Sequence, residues 1–267
     1  MDQRRGNRII ISSLADPVSR SLGARLLELY EFGRLAAPLD SYCKRDNIFL
    51  LFIEEIHLNF TNINKLSAEI GNVEDIVILS RHSSSANVKS MTVHPTGNFN
   101  DASLGGIAGK LSASDPAYMT DTLRRMESLS TNTDYSVTFE ATHHGPYSEI
   151  PMYYAEIGTA DNQWADPGVQ EVLLKSVMQA VKRKGKSMIG IGGGHYMPKI
   201  TSWILSSAEN AGHLIPKYVK SVQAIRMSLE STPGAAGIVM DRKGTTSEFR
   251  NAAKEISDQE GIELITI

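Results

Sequence analysis

The sequence predicts an α/β fold, as a single domain with a mixed, largely parallel sheet and helices on both faces. Short runs that are apolar at every position, such as Ile48-Phe49-Leu50-Leu51-Phe52-Ile53 and Ile76-Val77-Ile78-Leu79, mark strands buried on both sides. Segments with helical spacing of apolar residues separate them. Strands and helices therefore interleave from end to end, the pattern of a sheet covered by crossover helices.

The elements follow in order. Ile9-Ile10-Ile11 opens as a strand, Ser12-Ser13 and Asp16-Pro17 break it, and Leu22, Leu26, Leu27 and Leu29 continue at helical spacing. After the strands at 48–53 and 76–79, Ser114-Asp115 before Pro116 caps a helix running through Met119, Leu123, Met126 and Leu129. A strand is expected from Tyr135 to Ala141, another from Tyr153 to Ile157, then a helix from Pro167 to Val181 and a strand from Ser187 to Ile191. A helix around Tyr218 to Leu229, a strand at Ile238-Val239-Met240, a helix from Thr246 to Ile256 and a strand from Ile262 to Ile265 close the chain. The stretch from Val88 to Leu111 is rich in Asn, Gly, Ser and Thr and reads as a long loop. Loops of that length inside a domain are usually functional. No linker or fixed-period repeat divides the chain, so residues 7–267 are expected to form one catalytic domain behind a disordered extension, residues 1–6.

With 267 residues, 41% of them hydrophobic, the chain is long enough to bury a substantial core. Its 27 basic and 30 acidic residues leave a net charge of −3, so no protein-wide positive field exists to hold nucleic acid. An RNA partner has to be caught locally, and DNA is not expected. The single cysteine, Cys43, excludes an intramolecular disulfide and a thiolate zinc site. No apolar run approaches the roughly 18–20 residues of a membrane span, and the opening MDQRRGNR lacks a signal-peptide core. The expectation is a cytoplasmic protein that binds no membrane.

Six of the seven histidines, all but His57, lie beside turn residues or at strand ends: His82, His94, His143, His144, His195 and His213. An isolated histidine is more often a structural hydrogen bonder than a ligand, but so many at strand ends point to a shared site. His82, His143 and His195 each follow an apolar strand, which would deliver them to one rim at the carboxyl ends of the strands. Imidazoles beside a carboxylate either bind Zn²⁺ with an open position or act as a general base near pH 7. Glu140 and Glu156, on strands, are the carboxylates placed to join them. Adjacent His143 and His144 face opposite ways in a strand, so one ligand is expected from the pair unless the chain turns there.

Gly190-Ile191-Gly192-Gly193-Gly194-His195 follows a strand but has His195 in place of the last glycine of G-x-G-x-x-G, and no Lys-Ser/Thr ending. It argues against a nucleotide cofactor. It still permits close approach of a ribose, a phosphate or an ester oxyanion to backbone N–H groups, beside the plainer role of tight packing. Ser83, Ser84 and Ser85 lack the G-x-S-x-G elbow of a serine nucleophile. Lys182-Arg183-Lys184 with Lys186 ends a predicted helix, where cations also favour the helix dipole.

The blocks Ser80-Arg81-His82-Ser83-Ser84, Thr92-Val93-His94-Pro95-Thr96-Gly97-Asn98, Thr142-His143-His144-Gly145-Pro146, Glu156-Ile157-Gly158, Gly190 to Tyr196 and Gly212-His213 through Tyr218 resemble, in this order, the D-aminoacyl-tRNA deacylases of the archaeal and plant type. The resemblance runs from about Asn7 to Ile267. It implies a phosphorylase/hydrolase-like α/β domain and a zinc-dependent hydrolase of the ester between a D-amino acid and the terminal ribose of tRNA. On these motifs, zinc is expected on His82, His144, Glu156 and His195, with His94 and His143 shuttling protons. Ser83, Asn98, Gly192, Gly193, Gly194, Lys199 and His213 are expected to meet substrate, and Lys199 and the Lys182 group to meet tRNA phosphates. A monomer is expected. The competing readings are a zinc-dependent small-molecule ester or peptide hydrolase, a nucleoside phosphorylase-like enzyme, and a tRNA-binding module without catalysis. The last would ask for basic and aromatic side chains rather than a rim of histidines.

Overall fold

The computed structural model describes residues 6–83, 88–131, 133–158 and 160–267. The first half of the chain folds as β1 (Asn7–Ser13), α1 (Pro17–Leu29), β2 (Gly33–Arg34), β3 (Tyr42–Arg45), β4 (Ile48–Ile53), α2 (Leu66–Ile70), β5 (Val73–Arg81), β6 (Ser90–His94), β7 (Gly97–Asn98), β8 (Lys110–Leu111), α3 (Pro116–Leu129) and β9 (Ser136–Phe139). The remainder is β10 (Met152–Ile157), α4 (Asp161–Trp164), α5 (Pro167–Gln179), β11 (Ser187–Ile191), α6 (Pro198–Ser206), β12 (Asn210–Ile215), α7 (Gln223–Glu230), β13 (Ala235–Met240), α8 (Ser247–Glu260) and β14 (Glu263–Thr266).

The helix starts obey local chemistry. Asp16, Asp115 and Asp166 each accept backbone N–H bonds ahead of a proline-led first turn, in α1, α3 and α5. Thr246 caps α8 in the same way.

The strands form an eight-stranded sheet, ordered β2-β3-β4-β1-β5-β10-β6-β9, a four-stranded sheet, ordered β12-β11-β13-β14, and a separate antiparallel pair, β7-β8. In the large sheet β4, β1, β5 and β10 are mutually parallel, whereas β6 runs antiparallel to β10 and parallel to β9. The small sheet is wholly parallel. The expected mixed, largely parallel α/β architecture is present, divided between the two larger sheets. They meet where Glu140 bridges Tyr196, the Ala141 N–H donates to the His195 carbonyl at 2.8 Å, and the Thr142 N–H donates to that of Leu214 at 2.9 Å.

The period of two sorts β1, β5 and β10 between two cores. Ile10, Val77, Leu79, Tyr153 and Ala155 join the α1, α3 and α5 side; Ile9, Ile11, Ile76, Ile78, Met152 and Tyr154 join the other. Ile189, Ile191, Ile238 and Met240 pack a third core against α7 and α8.

Three expectations change. The 88–111 stretch contains β6, a strand buried along its whole length. Only Met91 and Val93 of its five residues feed the hydrophobic core, so its apolar signal is too short to mark a strand. The strand β12 and the helix α6 are elements beyond those expected, and the helix expected at Tyr218 begins at Gln223, after a turn in which the Val219 N–H bonds the Pro216 carbonyl. At the N-terminus residues 1–5 of the expected extension lie outside the described residues, while Gly6 is buried and its carbonyl accepts from Asn47. Among the described residues, no helix is long and apolar enough to cross a membrane.

Candidate active site

The histidines converge. His82 follows β5, His94 ends β6, His143 and His144 follow β9, and His195 follows β11. Ring centroids lie 4.2 Å apart for His94 and His143, 4.3 Å for His143 and His144, 4.7 Å for His143 and His195, and 5.4 Å for His82 and His195. The expected carboxyl-end rim is only half right. Because β6 opposes β10, with His94 paired to Tyr154 and Met91 to Ile157, the cluster straddles the reversal of strand direction instead of lying beyond one set of ends.

The chain does turn at the His143-His144 pair. His144 has φ +42°, a left-handed conformation uncommon outside glycine, which brings both rings to one side. The Asn/Gly-rich segment holds it there: the Gly97 N–H donates to the His144 carbonyl at 2.8 Å and the Gly145 N–H to that of Leu104 at 3.1 Å. Asn98, expected at substrate, uses its side-chain amide to fix the Gly105 carbonyl at 2.8 Å.

Three of these rings are oriented alike. The Nδ1 atoms of His94, His143 and His144 lie 3.1, 2.8 and 2.7 Å from the carbonyls of Pro95, Ala141 and Gly145. A carbonyl only accepts, so each Nδ1 carries a proton; His143 and His144 keep the Nε2 lone pair, whereas the burial of His94 is outweighed by Glu156, which raises its pKa, so the Nε2 proton of that ring has to leave before the atom can bind a metal. The three side chains offer ligand atoms within 4.8 Å of one another, and the buried Nε2 of His94 has no hydrogen-bond partner. Anchoring one ring nitrogen on a carbonyl while the other faces a shared point is how proteins present histidine to a metal. His82, Glu140 and His195 form a second such group, and His94, Glu140 and Glu156 a third. Among the described residues, the expected foursome of His82, His144, Glu156 and His195 is not a converging group. His144 falls with His94 and His143, which were expected to carry protons, and Glu140 takes the place given to Glu156 beside His82 and His195.

Two buried carboxylates face this cluster. Period two places Glu156 on the Met152-Tyr154 side of β10. Glu156 lies 3.6 Å from His82 Nδ1 and 3.8 Å from His94 Nε2. Glu140, fully buried, has one oxygen 2.9 Å from His82 Nδ1 and the other 2.9 Å from His195 Nε2. Neither contact has hydrogen-bond alignment, so both oxygens are short of a properly directed donor. Burial opposes charge on both carboxylates, yet the facing rings of His195 and His82 hold Glu140, and those of His82 and His94 hold Glu156, well below the usual carboxylate range. In return, Glu140 and Glu156 overcome the burial of His82 and push it up to about 10. Burial and the neighbouring His94 push His143 well down and His144 to about 3, so both stay neutral at physiological pH.

Sequence reasoning missed a supporting layer. His57, set aside as the exception, is buried behind the cluster, with Nδ1 3.1 Å from the Tyr154 hydroxyl and Nε2 3.1 Å from that of Ser80. The Tyr154 ring stacks on His94 at 5.0 Å and 9°. Only the period-two register of β10, which puts Tyr154 on the same side as Glu156, points to this in the sequence.

Other expected substrate contacts are used elsewhere. His213 is fully buried, its Nε2 donating to the Ser112 carbonyl at 2.9 Å and its Nδ1 3.1 Å from the Thr142 hydroxyl. The Gly192 N–H donates to the Ile215 carbonyl at 2.9 Å and is not free for an oxyanion. Gly192 and Gly193 have φ +105° and +90°, and a Cβ at Gly192 would lie 2.7 Å from Thr245 Oγ1. Gly193 and Gly194 are partly open beside His195. Lys199 pairs with Asp241 at 2.7 Å. The Lys182 group precedes β11 whereas His195 follows it, which puts about 16 Å of extended strand between them. There Arg183 meets Asp121 at 3.6 Å and Lys186 meets Glu263 at 2.8 Å. Ser83 is exposed, and Ser84 and Ser85 lie outside the described residues.

Two cavities flank the cluster. One of about 690 Å³ reaches it through Tyr196 and is bounded by Ser90, Val137, Thr138, Pro198 and Leu205. The other, about 210 Å³, touches His143 and His144 directly.

Known proteins share this arrangement of sequence and fold. A sequence model of D-aminoacyl-tRNA deacylase matches residues 70–265. The chain belongs to the D-aminoacyl-tRNA deacylase family. The D-aminoacyl-tRNA deacylase of Thermoplasma acidophilum is 40% identical over 97% of this chain and 99% of its own length, and that of Picrophilus torridus 38% identical over the same shares. The deacylase of Pyrococcus furiosus is 31% identical, again over 97% and 99%. Among solved structures, the crystal structure of a conserved protein of unknown function superposes with a TM-score of 0.86 at 26% identity, covering 98% of this chain and 96% of that one. As a family member the protein is a hydrolase of the aminoacyl-tRNA ester bond.

Proposed function

We propose that this protein removes D-amino acids from tRNA by hydrolysing the ester to the 3′-terminal ribose, at a zinc centre built on His94, His143 and His144. The observation that carries the metal reading is the common orientation of these rings. Each donates its Nδ1 proton to a backbone carbonyl, which leaves the Nε2 atoms free of that bond, and the three residues offer ligand atoms within 4.8 Å of one another. Three imidazoles without a thiolate, His94 once its Nε2 proton is displaced, suit zinc with an open fourth position, and zinc bound there would supply a Lewis acid for the ester carbonyl and lower the pKa of bound water.

The other side chains handle protons and position. His195 has the most open side chain among the ion-paired histidines, at 37% exposure, and its Nε2 sits 2.9 Å from Glu140. It is placed to take a proton from the attacking water and hand it to the departing ribose oxygen, with Glu140 orienting its ring. His82, wedged between Glu140 and Glu156, balances their charge and holds both in place.

The test joins metal analysis of the purified protein to deacylation of D- and L-tyrosyl-tRNA before and after chelation. D-selective, chelator-sensitive turnover is expected, with zinc lost from His143→Ala and His144→Ala but kept by a slow His195→Ala. Equal hydrolysis of both enantiomers would sink the D-specific role, and full activity after metal removal would sink the zinc centre.

A further inference from the structure

The ester must arrive on the unpaired 3′ end of a tRNA, and a chain of net charge −3 needs a local place to catch it. The basic residues singled out in the sequence do not provide one: Lys199 is paired with Asp241, and the Lys182 group lies at the far end of β11. The cavity of about 210 Å³ does lie in the right place. His143 and His144 form one wall, and Phe99 and Tyr218 contribute aromatic surface.

Tyr218 is 53% exposed, unusual for a large ring beside a polar site. The turn that carries it is tied to the turn before His195, because the Lys217 N–H donates to the Gly193 carbonyl at 3.0 Å and the Gly192 N–H to that of Ile215 at 2.9 Å. The backbone that carries the ring is thus held in a set place relative to His195. Lys217 and Lys220 flank it, both exposed, and neither meets a carboxylate among the described residues; the Lys220 ammonium rests on the Lys217 carbonyl at 3.2 Å. The acidic residue on the cavity wall, Asp101, is engaged by the N–H and hydroxyl of Ser103. An exposed ring interleaved with free cations is the surface that binds single-stranded nucleic acid, the ring taking a base and the cations the backbone.

We infer that Tyr218 is the platform on which the 3′-terminal base of tRNA stacks, with Lys217 and Lys220 meeting the phosphates that lead to it. The inference rests on the proposed deacylase reading and adds the subsite that delivers the ester to the histidines. Stacking is blind to the amino acid, so Tyr218 acts on every acylated tRNA alike and leaves the choice of D over L to the rest of the site.

The test reads binding, apart from turnover. An RNA hairpin with an unpaired A-C-C-A end, and the same hairpin lacking the terminal adenosine, are titrated by fluorescence anisotropy against the full chain. The unmodified protein is expected to prefer the intact end about tenfold, which is about 1.4 kcal/mol and in the range of one base–aromatic stack. Tyr218→Ala and Tyr218→Leu should bind both RNAs alike, and Tyr218→Trp should restore the preference. Lys217→Ala and Lys220→Ala should each lower the slope of log affinity against log salt by about 0.7. Two alanine-like variants keep the comparison if one fails to fold. An unmodified protein that ignores the terminal adenosine, or a Tyr218→Leu variant that keeps the full preference, overturns the inference. A protein that discriminates the terminal adenosine yet leaves D-aminoacyl-tRNA intact supports the subsite and defeats the deacylase reading.

Discussion

Replacing Glu140 by Gln changes a charge at the centre of the site and almost nothing else. Glu140 is fully buried, lies 2.9 Å from both His82 and His195 and 3.7 Å from His143, and joins two of the three groups of converging ligand atoms. Gln has the same shape, so no cavity opens. What is lost is the anion that offsets any positive charge held among these rings, whether proton or metal. Removing one partner of a buried ion pair costs about 3–5 kcal/mol, equivalent to roughly 10²- to 10⁴-fold in an equilibrium constant. Metal affinity of Glu140→Gln is therefore expected to fall by about that factor, with turnover on D-aminoacyl-tRNA falling at least as far because His195 loses its proton partner. Folding stability is expected to fall as well, because His82 is left with Glu156 as its one carboxylate partner. The assay is a chelator-competition titration run beside deacylation and a thermal melt. A Glu140→Gln protein that binds metal with unchanged affinity and turns over normally would refute the view that this carboxylate organises the site.

Two further outcomes follow from the same structure. Burial pushes His213 down to about 4, and its Nε2–H bond to Ser112 with Nδ1 against the Thr142 hydroxyl suits the neutral ring. Its folded pKa is depressed below the unfolded value of about 6.5, so its stabilising contribution is full above pH 6.5 and is lost as pH falls toward 4. At about 1.4 kcal/mol per pH unit this is about 3 kcal/mol; the stability gap between the unmodified protein and His213→Gln in urea should narrow by that amount from pH 7 to pH 4, and a constant gap would remove the assignment. Gly192→Ala forces a side chain onto φ +105° and toward Thr245 and Asp241. It should cost at least about 1–3 kcal/mol, read as a fall in melting temperature of several degrees; an unchanged melt would show that the turn relaxes freely.

Much of the fold was legible because local rules were strong. Asp115 ahead of Pro116 places the start of α3, and the runs at 48–53 and 187–191 coincide with β4 and β11. The strand β6 was not legible, because its polar residues serve the site and leave Met91 and Val93 as its only contribution to the hydrophobic core. The divided sheet was hidden too, since pairing partners are set by packing at long range and leave no periodic mark on a single strand.

For the site, the sequence by itself determined the inventory: histidines at strand ends, two strand carboxylates, one cysteine and a triple-glycine turn. It could not divide those residues into roles, because a role depends on which ring nitrogen is already engaged and what faces the other. Tertiary structure made that division. The carbonyls of Pro95, Ala141 and Gly145 take the Nδ1 protons of three rings, the left-handed turn at His144 brings two neighbours to one side, and Ser112 and Thr142 engage both nitrogens of His213 inside the protein. The same chemical group thus becomes a candidate ligand, a proton carrier or a core residue according to contacts between parts of the chain far apart in sequence.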